Sequence, residues 1–149
     1  MKPIKLLFVC VHNAARSQMA EAFLNHYGEG KFIAESAGME AGVLNPLAIE
    51  AMNEIGLDIS KNSVDSVFEF FKSQKFYSYV ITVCDETSGQ KCPIFPGINK
   101  MIHWSFEDPS TFEGSYEERL EKTRLVRDKI KTHVLELLDI LRNRHEISN

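Results

Sequence analysis

A run of apolar residues near the start of the chain leads directly into a short loop and then into a helical pattern. Residues 4–9 contain five apolar side chains and predict a buried strand. Met19, Ala22, Phe23 and Tyr27 then recur at the spacing of one helix face. The residues between them, 10–17, therefore connect a strand to the N-terminus of a helix.

Strands and helices continue to alternate along the rest of the chain. We predict further strands at 32–34, 79–83 and 100–104, because these stretches are rich in apolar and β-branched residues. We predict helices at 45–55, at 60–71 and from 115 onward, the first of them opened by Asn45 as cap and Pro46 in the first turn. Alternation of this kind indicates an α/β fold with a four-stranded, parallel, doubly wound sheet and helices on both faces. Its 149 residues fit a single domain, 1–149.

Chemically active residues cluster at the predicted ends of these strands. Cys10, Ser36, Cys84 and Trp104 each lie at or just beyond the carboxyl end of a predicted strand. Open parallel sheets bind their ligands outside that edge. We therefore expect the chemistry of this protein to gather there.

The loop after the first strand has the composition of an oxyanion site. A helix N-terminus presents unpaired backbone N–H groups and a positive dipole, so residues 11–15 can cradle a tetrahedral anion. Arg16 adds a planar fork that bonds two oxygens at once. A free cysteine has a pKa of about 8.5, and helix N-termini beside cations lower such values to roughly 3.5–7.5. These features predict that Cys10 is a thiolate nucleophile, with Ser17 able to donate a hydrogen bond to its sulfur.

The alternative for Cys10 is an inert, buried cysteine at the end of a strand. A cysteine and an arginine separated by five residues also occur by chance in many chains. The context favours the anion site, because a strand precedes the motif, a helix follows it, and the small Ala14 and Ala15 let the backbone approach a ligand.

Composition and charge exclude several classes of function. The net charge of −4 argues against general nucleic-acid binding, which requires a basic face. No apolar run approaches the roughly 18 residues that a membrane span needs, and the N-terminus lacks the pattern of a signal peptide. We therefore expect a cytoplasmic protein without a membrane partner. Three cysteines in a reducing compartment point to redox, catalytic or metal use rather than to structural disulfides.

Cys84 and Cys92 enclose a polar segment that we expect to be mobile. If Cys84 can reach Cys10 and Cys92 can reach Cys84, the three form a relay for thiol–disulfide exchange. A zinc site made from Cys84, Cys92 and His103 lacks a fourth ligand at a recognisable spacing. Two unrelated thiols in a loop are the remaining alternative.

Asp108 precedes Pro109 just after the last predicted strand. Proline biases the residue before it toward an extended conformation, which can direct the Asp108 carboxyl across the cleft as a general acid. Asp-Pro is also a common turn pair, so a purely structural role is equally consistent with the sequence.

Taken together, these motifs resemble the thioredoxin-coupled arsenate reductases, which share the fold of the low-molecular-weight protein tyrosine phosphatases. The resemblance extends over nearly the whole chain. The matching segments are 10–21, which contains Cys10, five residues and Arg16-Ser17, and 36–38, 45–52, 58–60, 83–84, 92–93 and 103–109.

This resemblance implies a role for each residue of the site. Cys10 would attack arsenate, Ser17 would stabilise its thiolate, and Asp108 would protonate the departing hydroxyl. Cys84 would then attack Cys10 and release arsenite, after which Cys92 would attack Cys84 and thioredoxin would reduce the resulting disulfide. The oxyanion would be held by the Arg16 side chain and by the loop amides of Val11, His12, Asn13, Ala14, Ala15 and Arg16.

The resemblance implies no required cofactor, but it allows for a bound potassium ion. In some members of the family a potassium site lies at the positions of Asn13, Glu21, Ser36 and Asp65. Singly, each of these residues is also explained by a turn, a surface or a strand-end role. Within the loop, Val11-His12 and Ala14-Ala15 stand where the family pattern has Thr-Gly and Ser-Cys, so fewer hydroxyls line the mouth and His12 adds bulk.

Two other functions compete with arsenate reduction. A phosphatase acting on phosphotyrosine or a small phosphoester would use the same thiolate, arginine and Asp108. Such an enzyme does not need Cys84 and Cys92, and its family usually has aromatic residues after Asp-Pro, where this chain has Ser110-Thr111. A non-enzymatic redox or oxyanion sensor could use the three thiols as a switch. Even if the protein is an arsenate reductase, we expect it to retain some phosphatase activity.

Overall fold

The carboxyl edge of a four-stranded parallel sheet is the feature that positions the site. A computed structural model describes residues 2–40, 42–72, 76–85 and 101–145. The strands are β1 (Ile4–Cys10), β2 (Phe32–Gly38), β3 (Tyr79–Cys84) and β4 (Met101–Ser105), in the spatial order β2-β1-β3-β4. All three pairings are parallel, so the predicted fold class is confirmed.

Four helices are described beside the sheet. They are α1 (Arg16–Tyr27), α2 (Pro46–Asn53), α3 (Val67–Lys72) and α4 (Tyr116–Arg144), and a 3-10 helix spans Pro109–Thr111. Asn45 caps α2 by accepting a hydrogen bond from the Leu47 N–H, with Pro46 in the first turn as expected. Ser115 and Glu118 form a reciprocal capping box that opens α4. No helix in the described ranges is long and apolar enough to cross a membrane.

Each face of the sheet buries its own apolar cluster. The larger cluster joins Leu6, Phe8 and Cys10 of β1 to α1, α2 and α4, and the smaller one joins Leu7 and Val9 to α3. Because side chains alternate along a strand, the two clusters use alternate residues of β1. The doubly wound arrangement is thus present, with the longer helices on the Cys10 face.

The helix predicted at 60–71 is shorter than the sequence pattern indicates, since α3 includes only Val67–Lys72. Polar side chains hold the preceding residues in turns. Asp58 accepts a hydrogen bond from the Ser60 N–H, and Ser63 donates to the Asp65 carboxylate. Such local side-chain bonds compete with helix formation. Strand β2, in contrast, is longer than predicted and continues through Ser36 to Gly38.

Candidate active site

The loop between β1 and α1 is held from outside by the segment that follows β2. The carbonyl oxygens of Cys10, Val11, His12 and Ala14 accept hydrogen bonds from the N–H groups of Met39, Glu40, Gly42 and Asn45, at 2.9–3.0 Å. In each peptide unit the N–H points away from the carbonyl. Because these carbonyls point toward the segment after β2, the N–H groups of the same peptide units point away from it. The loop backbone is therefore preorganised to bind an anion on that other side.

Close contact between this loop and β2 requires glycine. A Cβ atom at Gly38 would lie 2.6 Å from the Asn13 nitrogen and 2.7 Å from the His12 carbonyl carbon. Both are backbone atoms that cannot turn aside, so a side chain at this position would displace the loop. Asn13 itself adopts φ of 55°, in the left-handed region that asparagine tolerates better than most residues.

The Cys10 sulfur lies at the centre of a buried group of donors. The Asn13 backbone N–H donates to it at 3.2 Å, and Ser17 Oγ lies 2.9 Å away. Asn13 Nδ2 donates to Ser17 Oγ at 2.8 Å, which directs the hydroxyl proton of Ser17 toward the sulfur. Cys10 is a free cysteine and is 2% exposed. The sulfur therefore lies within hydrogen-bonding distance of a backbone N–H and a hydroxyl at once.

Arg16 is the first residue of α1 and is itself buried. One guanidinium nitrogen donates to the Phe106 carbonyl at 3.1 Å, and another lies 3.2 Å from the Asp108 carboxylate. These contacts connect the start of α1 to the segment that follows β4. The structure therefore brings Arg16 and Asp108 together, as the sequence suggests.

Asp108 is fixed by its own turn. Its other carboxylate oxygen accepts hydrogen bonds from the Ser110 N–H at 3.0 Å and the Ser110 hydroxyl at 2.8 Å. The same residue caps the 3-10 helix that begins at Pro109. Both interpretations of Asp-Pro are thus compatible with the structure, because Asp108 is a structural cap and also faces Arg16.

The remaining cradle residues differ in exposure. Asn13 and Ala15 are buried, Val11 and Ala14 are half-buried, and His12 is exposed. The ring of His12 lies 3.9 Å from the Glu40 carboxylate at the mouth of the loop. Ala15, the residue before α1, makes no side-chain cap, so the first turn of α1 carries no capping group of its own.

A second polar group, the carboxylate cluster of Glu21, Ser36, Asn62 and Asp65, adjoins the Cys10 loop. Ser36 donates to Glu21 at 3.2 Å, and Asn62 Nδ2 donates to the other Glu21 oxygen at 3.4 Å. Asn13 joins the cluster to the loop, because its Oδ1 accepts the Asp65 N–H at 3.0 Å. Asn62 also donates to Gln18, and Gln18 donates to Asn13 Oδ1, so the four residues predicted for a potassium site lie in one connected hydrogen-bond network.

Burial, together with the neighbouring carboxylates of Glu35 and Asp65, raises the pKa of Glu21 from its ordinary value to about 7. Hydrogen bonds from Ser36 oppose the shift but do not cancel it. A buried carboxylate among other carboxylates is unfavourable unless a cation accompanies it.

The donor set of this cluster suits an alkali metal better than a transition metal. Hydroxyl, amide and carboxylate oxygens are hard ligands. In the described ranges, no group of three or more histidine, cysteine, aspartate or glutamate side chains is placed to hold a metal ion. Asn13, Glu21, Ser36 and Asp65 thus fit a weakly bound monovalent cation, which would relieve the desolvation of Glu21.

The second cysteine lies at the end of β3, on the opposite face of the sheet from Cys10. Cys84 shares its face with Thr82 and Val80 by strand alternation, and Val80 belongs to the cluster around α3. The Cys84 side chain is fully buried, and its sulfur lies 3.4 Å from His103 Nε2. Cys92 and the polar segment before it, apart from Asp85, lie outside the described residues.

Sequence reasoning missed residues that complete these networks. Gln18 Nε2 donates to both the carbonyl and the Oδ1 of Asn13 and to the Ser63 carbonyl, while its Oε1 accepts from Asn62. No local signal identifies this role, because it depends on a segment more than forty residues away. Thr82, which bonds His103, carries no signal in the sequence beyond its preference for strands.

Comparison with known proteins places these features in a family. The sequence profile described as "low molecular weight phosphotyrosine protein phosphatase" matches residues 5–146. An arsenate reductase of Shouchella clausii is 42% identical over 130 residues, which cover 87% of this chain and 91% of that protein. An arsenate reductase of Bacillus subtilis is 36% identical over 134 residues, which cover 90% of this chain and 94% of that protein.

Solved structures agree with the sequence matches. A structure described as an arsenate reductase in the phosphate-binding state superposes with a TM-score of 0.74 at 33% identity and covers 91% of this chain and 97% of that one. A thioredoxin-dependent arsenate reductase of Corynebacterium glutamicum gives a TM-score of 0.66 at 30% identity, covering 95% of this chain and 64% of that one.

Proposed function

Because the chain belongs to the low-molecular-weight phosphotyrosine protein phosphatase family, with arsenate reductases among its relatives, we propose that it reduces arsenate to arsenite. The observation that carries the proposal is the Cys10 sulfur, which accepts a hydrogen bond from the Asn13 N–H and lies 2.9 Å from Ser17 Oγ inside a preorganised anion loop. A buried thiolate in that position is the nucleophile that this chemistry requires.

The first step uses the residues around Cys10. The sulfur attacks arsenate while the loop from Val11 to Ala15 and the Arg16 guanidinium hold its oxygens. In the free protein Arg16 is paired with Asp108. An incoming oxyanion offers Arg16 new acceptors and frees the Asp108 carboxyl to take a proton, which it passes to the departing hydroxyl.

The second step transfers electrons from thiols to arsenic. The Cys84 thiolate attacks the Cys10 sulfur, the Cys10–arsenic bond breaks, and its electron pair stays on arsenic as arsenite leaves. In this structure Cys84 is disulfide-bonded and buried on the opposite face of the sheet, so after reduction its sulfur has to leave that position to reach Cys10. Cys92 then displaces Cys10 from Cys84, and thioredoxin reduces the Cys84–Cys92 disulfide.

The proposed relay implies both a partner and a compartment. The thioredoxin-dependent reductase of Corynebacterium glutamicum supports thioredoxin as the reductant. Recycling by thioredoxin requires a pool of reduced thiols, so the proposal places the protein in the cytoplasm.

The proposal also includes a potassium ion bound by Asn13, Glu21, Ser36 and Asp65. The raised pKa of Glu21 supports it, since a cation would compensate the buried charge. Such an ion would act through Asn13, whose N–H and amide both support the Cys10 site. Its proposed role is to hold the loop, and no step of the reaction passes through it.

Phosphoester hydrolysis is the second candidate function. The contact between Arg16 and Asp108 favours it, because a phosphatase of this family would use the same pair around a cysteinyl-phosphate. We propose it as a side activity of the same site. It needs Cys10, Arg16 and Asp108, but neither Cys84 nor Cys92.

Single-turnover measurement on Cys92→Ser tests the relay. The variant should release one arsenite per protein, because Cys10 and Cys84 suffice for one two-electron step, and should then stop. Peptide mapping should find a Cys10–Cys84 disulfide, and phosphatase activity should persist.

The matched control is Cys84→Ser, which should release no arsenite but keep phosphatase activity. Multiple turnovers by Cys92→Ser with thioredoxin would contradict the three-cysteine mechanism. Phosphatase activity without arsenite release from the wild-type protein would favour the second candidate instead.

A further inference from the structure

Thr82 of β3 and His103 of β4, which the proposed steps do not use, form a hydrogen-bonded network with Cys84. His103 Nδ1 lies 2.7 Å from Thr82 Oγ1, and His103 Nε2 lies 3.4 Å from the Cys84 sulfur. Thr82 and His103 are register partners in the parallel ladder, so the imidazole reaches its direct partner and the residue two positions further along.

The direction of each hydrogen bond follows from the state of the sulfur. Cys84 is disulfide-bonded in this structure, so its sulfur carries no proton and can only accept. His103 must therefore carry its proton on Nε2 and donate it to the sulfur. In a neutral imidazole the other nitrogen is then an acceptor, so the Thr82 hydroxyl donates to Nδ1.

The three hydrogen-bonded residues differ in burial, so their network extends from the protein interior to the solvent. Thr82 and Cys84 are buried, whereas His103 lies on the edge strand and is exposed. A donor in contact with both a buried sulfur and water can supply a proton to that sulfur and regain one from solvent. Thr82 acts on the sulfur only through the ring, by fixing which nitrogen holds the proton.

We propose that His103, oriented by Thr82, donates to the Cys84 sulfur as that sulfur leaves the disulfide during reductive recycling. The inference rests on the proposed function, which assigns Cys92 as the disulfide partner and a dithiol protein as the reductant. His103 touches a reacting atom and is a catalytic residue for this step, while Thr82 is a positioning residue.

The step balances in electrons and protons. A thiolate of the dithiol attacks the partner sulfur, a new S–S bond forms, and the bond to Cys84 breaks with its electron pair on the Cys84 sulfur. The Nε2 proton stabilises or protonates that sulfur. The second thiol of the reductant then closes its own disulfide, so two electrons pass to the protein and water restores the proton on His103.

The test measures reduction of the oxidised full-length protein by dithiothreitol and by thioredoxin. His103→Gln should slow reduction on the order of tenfold, because a leaving thiolate without its donor leaves more slowly. Its disulfide should also become less oxidising, and a tenfold lower equilibrium constant corresponds to about 30 mV. Thr82→Val should show the same changes to a smaller extent.

Two further variants separate chemistry from structure. His133→Gln removes a histidine of α4 whose ring packs against Trp104 and Phe106. The disulfide of this variant should be reduced at the wild-type rate. His103→Ala should be slow, and added imidazole should restore its rate because the position is exposed. A merely structural role would give no rescue.

Equal reduction rates and equal potentials in wild type and His103→Gln would overturn the inference. A slow His103→Ala that imidazole does not rescue would overturn it as well. Failure of the proposed function has a different signature, since the wild-type protein would then be reduced by thioredoxin without regaining arsenate turnover.

Discussion

The Cys10 site and the carboxylate cluster are adjacent polar networks that share Asn13 but have opposite electrostatic character. Around Cys10, the Asn13 N–H and the Ser17 hydroxyl both lie within hydrogen-bonding distance of one sulfur. Around Glu21, the charged groups that act on the carboxyl are two more carboxyls, Glu35 and Asp65. The first network presents hydrogen-bond donors that suit an anion, whereas burial and the neighbouring carboxyls in the second disfavour the charge of Glu21. The two proposed ligands, an oxyanion and a monovalent cation, require this difference.

Replacement of the nucleophile should give the largest effect on the Cys10 side. Cys10→Ser should lower arsenate reduction and phosphatase activity by roughly 10⁴-fold or more, on the scale seen when a catalytic nucleophile is removed. Serine forms its anion far less readily than cysteine at neutral pH. Steady-state assays of both activities check this, with unfolding curves to confirm the fold. Retained turnover in either assay would exclude Cys10 as that reaction's nucleophile.

Arg16→Lys tests whether the anion site needs a fork rather than a charge. Lysine keeps the positive charge but loses two parallel hydrogen bonds, so kcat/KM should fall by about 10²- to 10³-fold. The conservative replacement Arg124→Lys, in the surface ion pair with Glu54, is the matched control and should leave activity unchanged. Unaltered kinetics in Arg16→Lys would remove Arg16 from the site.

Asn13→Gly tests the connection between the two networks. Glycine keeps the left-handed backbone but removes the side-chain bonds to Ser17, Gln18 and the Asp65 N–H. Because these partners are largely buried, stability should fall by roughly 4 kcal/mol, measured by denaturant unfolding. Asn13→Asp keeps the acceptor Oδ1 and should lose less stability than Asn13→Gly. A neutral effect of Asn13→Gly would mean that the two networks are independent.

Glu21→Gln tests the second network alone through pH. A carboxyl whose pKa is raised on folding binds its proton more tightly in the folded state, so it destabilises the protein as pH rises from about 4.5 to about 7. In sodium buffers Glu21→Gln should therefore be more stable than wild type at pH 8, by up to roughly 3 kcal/mol. At pH 4 this gain should be absent. The exposed Glu136→Gln should show no such pH-dependent difference.

Potassium should give the smallest effect. Binding at ten times its dissociation constant stabilises by about 1.4 kcal/mol, which raises the melting temperature by roughly 3–5 °C in a chain of this size. Sodium at equal ionic strength should do less, and Glu21→Gln should lose the difference. Identical melting curves in the two salts would leave Asn13, Glu21, Ser36 and Asp65 with structural roles alone.

Local sequence patterns are sufficient to predict most of the strands and helices and the position of the Cys10 loop. The apolar runs of β1 and β3 and the Asn45-Pro46 cap of α2 are local signals, and the structure has these three elements where the sequence predicts them. The Cys10 loop was equally readable, since its strand, small residues and helix are contiguous. The helix at 60–71 was overextended because Asp58 and Ser63 satisfy backbone or neighbouring groups locally.

Contacts that depend on tertiary register could not be predicted in the same way. Thr82 bonds His103 only because β3 and β4 pair in one particular register, which no local pattern specifies. Gln18 likewise reaches Ser63 and Asn62 across the fold. Where a residue's partner is more than about a dozen positions away, the sequence shows the donor but not the acceptor.

The position of Trp104 gives the protein an optical signal from its own active site. It is the only tryptophan in the chain, and its ring centroid lies 6.0 Å from that of Phe106. The Phe106 carbonyl is the group that Arg16 holds before an anion arrives. We expect Arg16 to exchange this carbonyl for an oxygen of the anion, which would release the backbone segment and change the surroundings of the indole. Intrinsic fluorescence, with no attached dye, should therefore follow the occupation of the anion loop in real time.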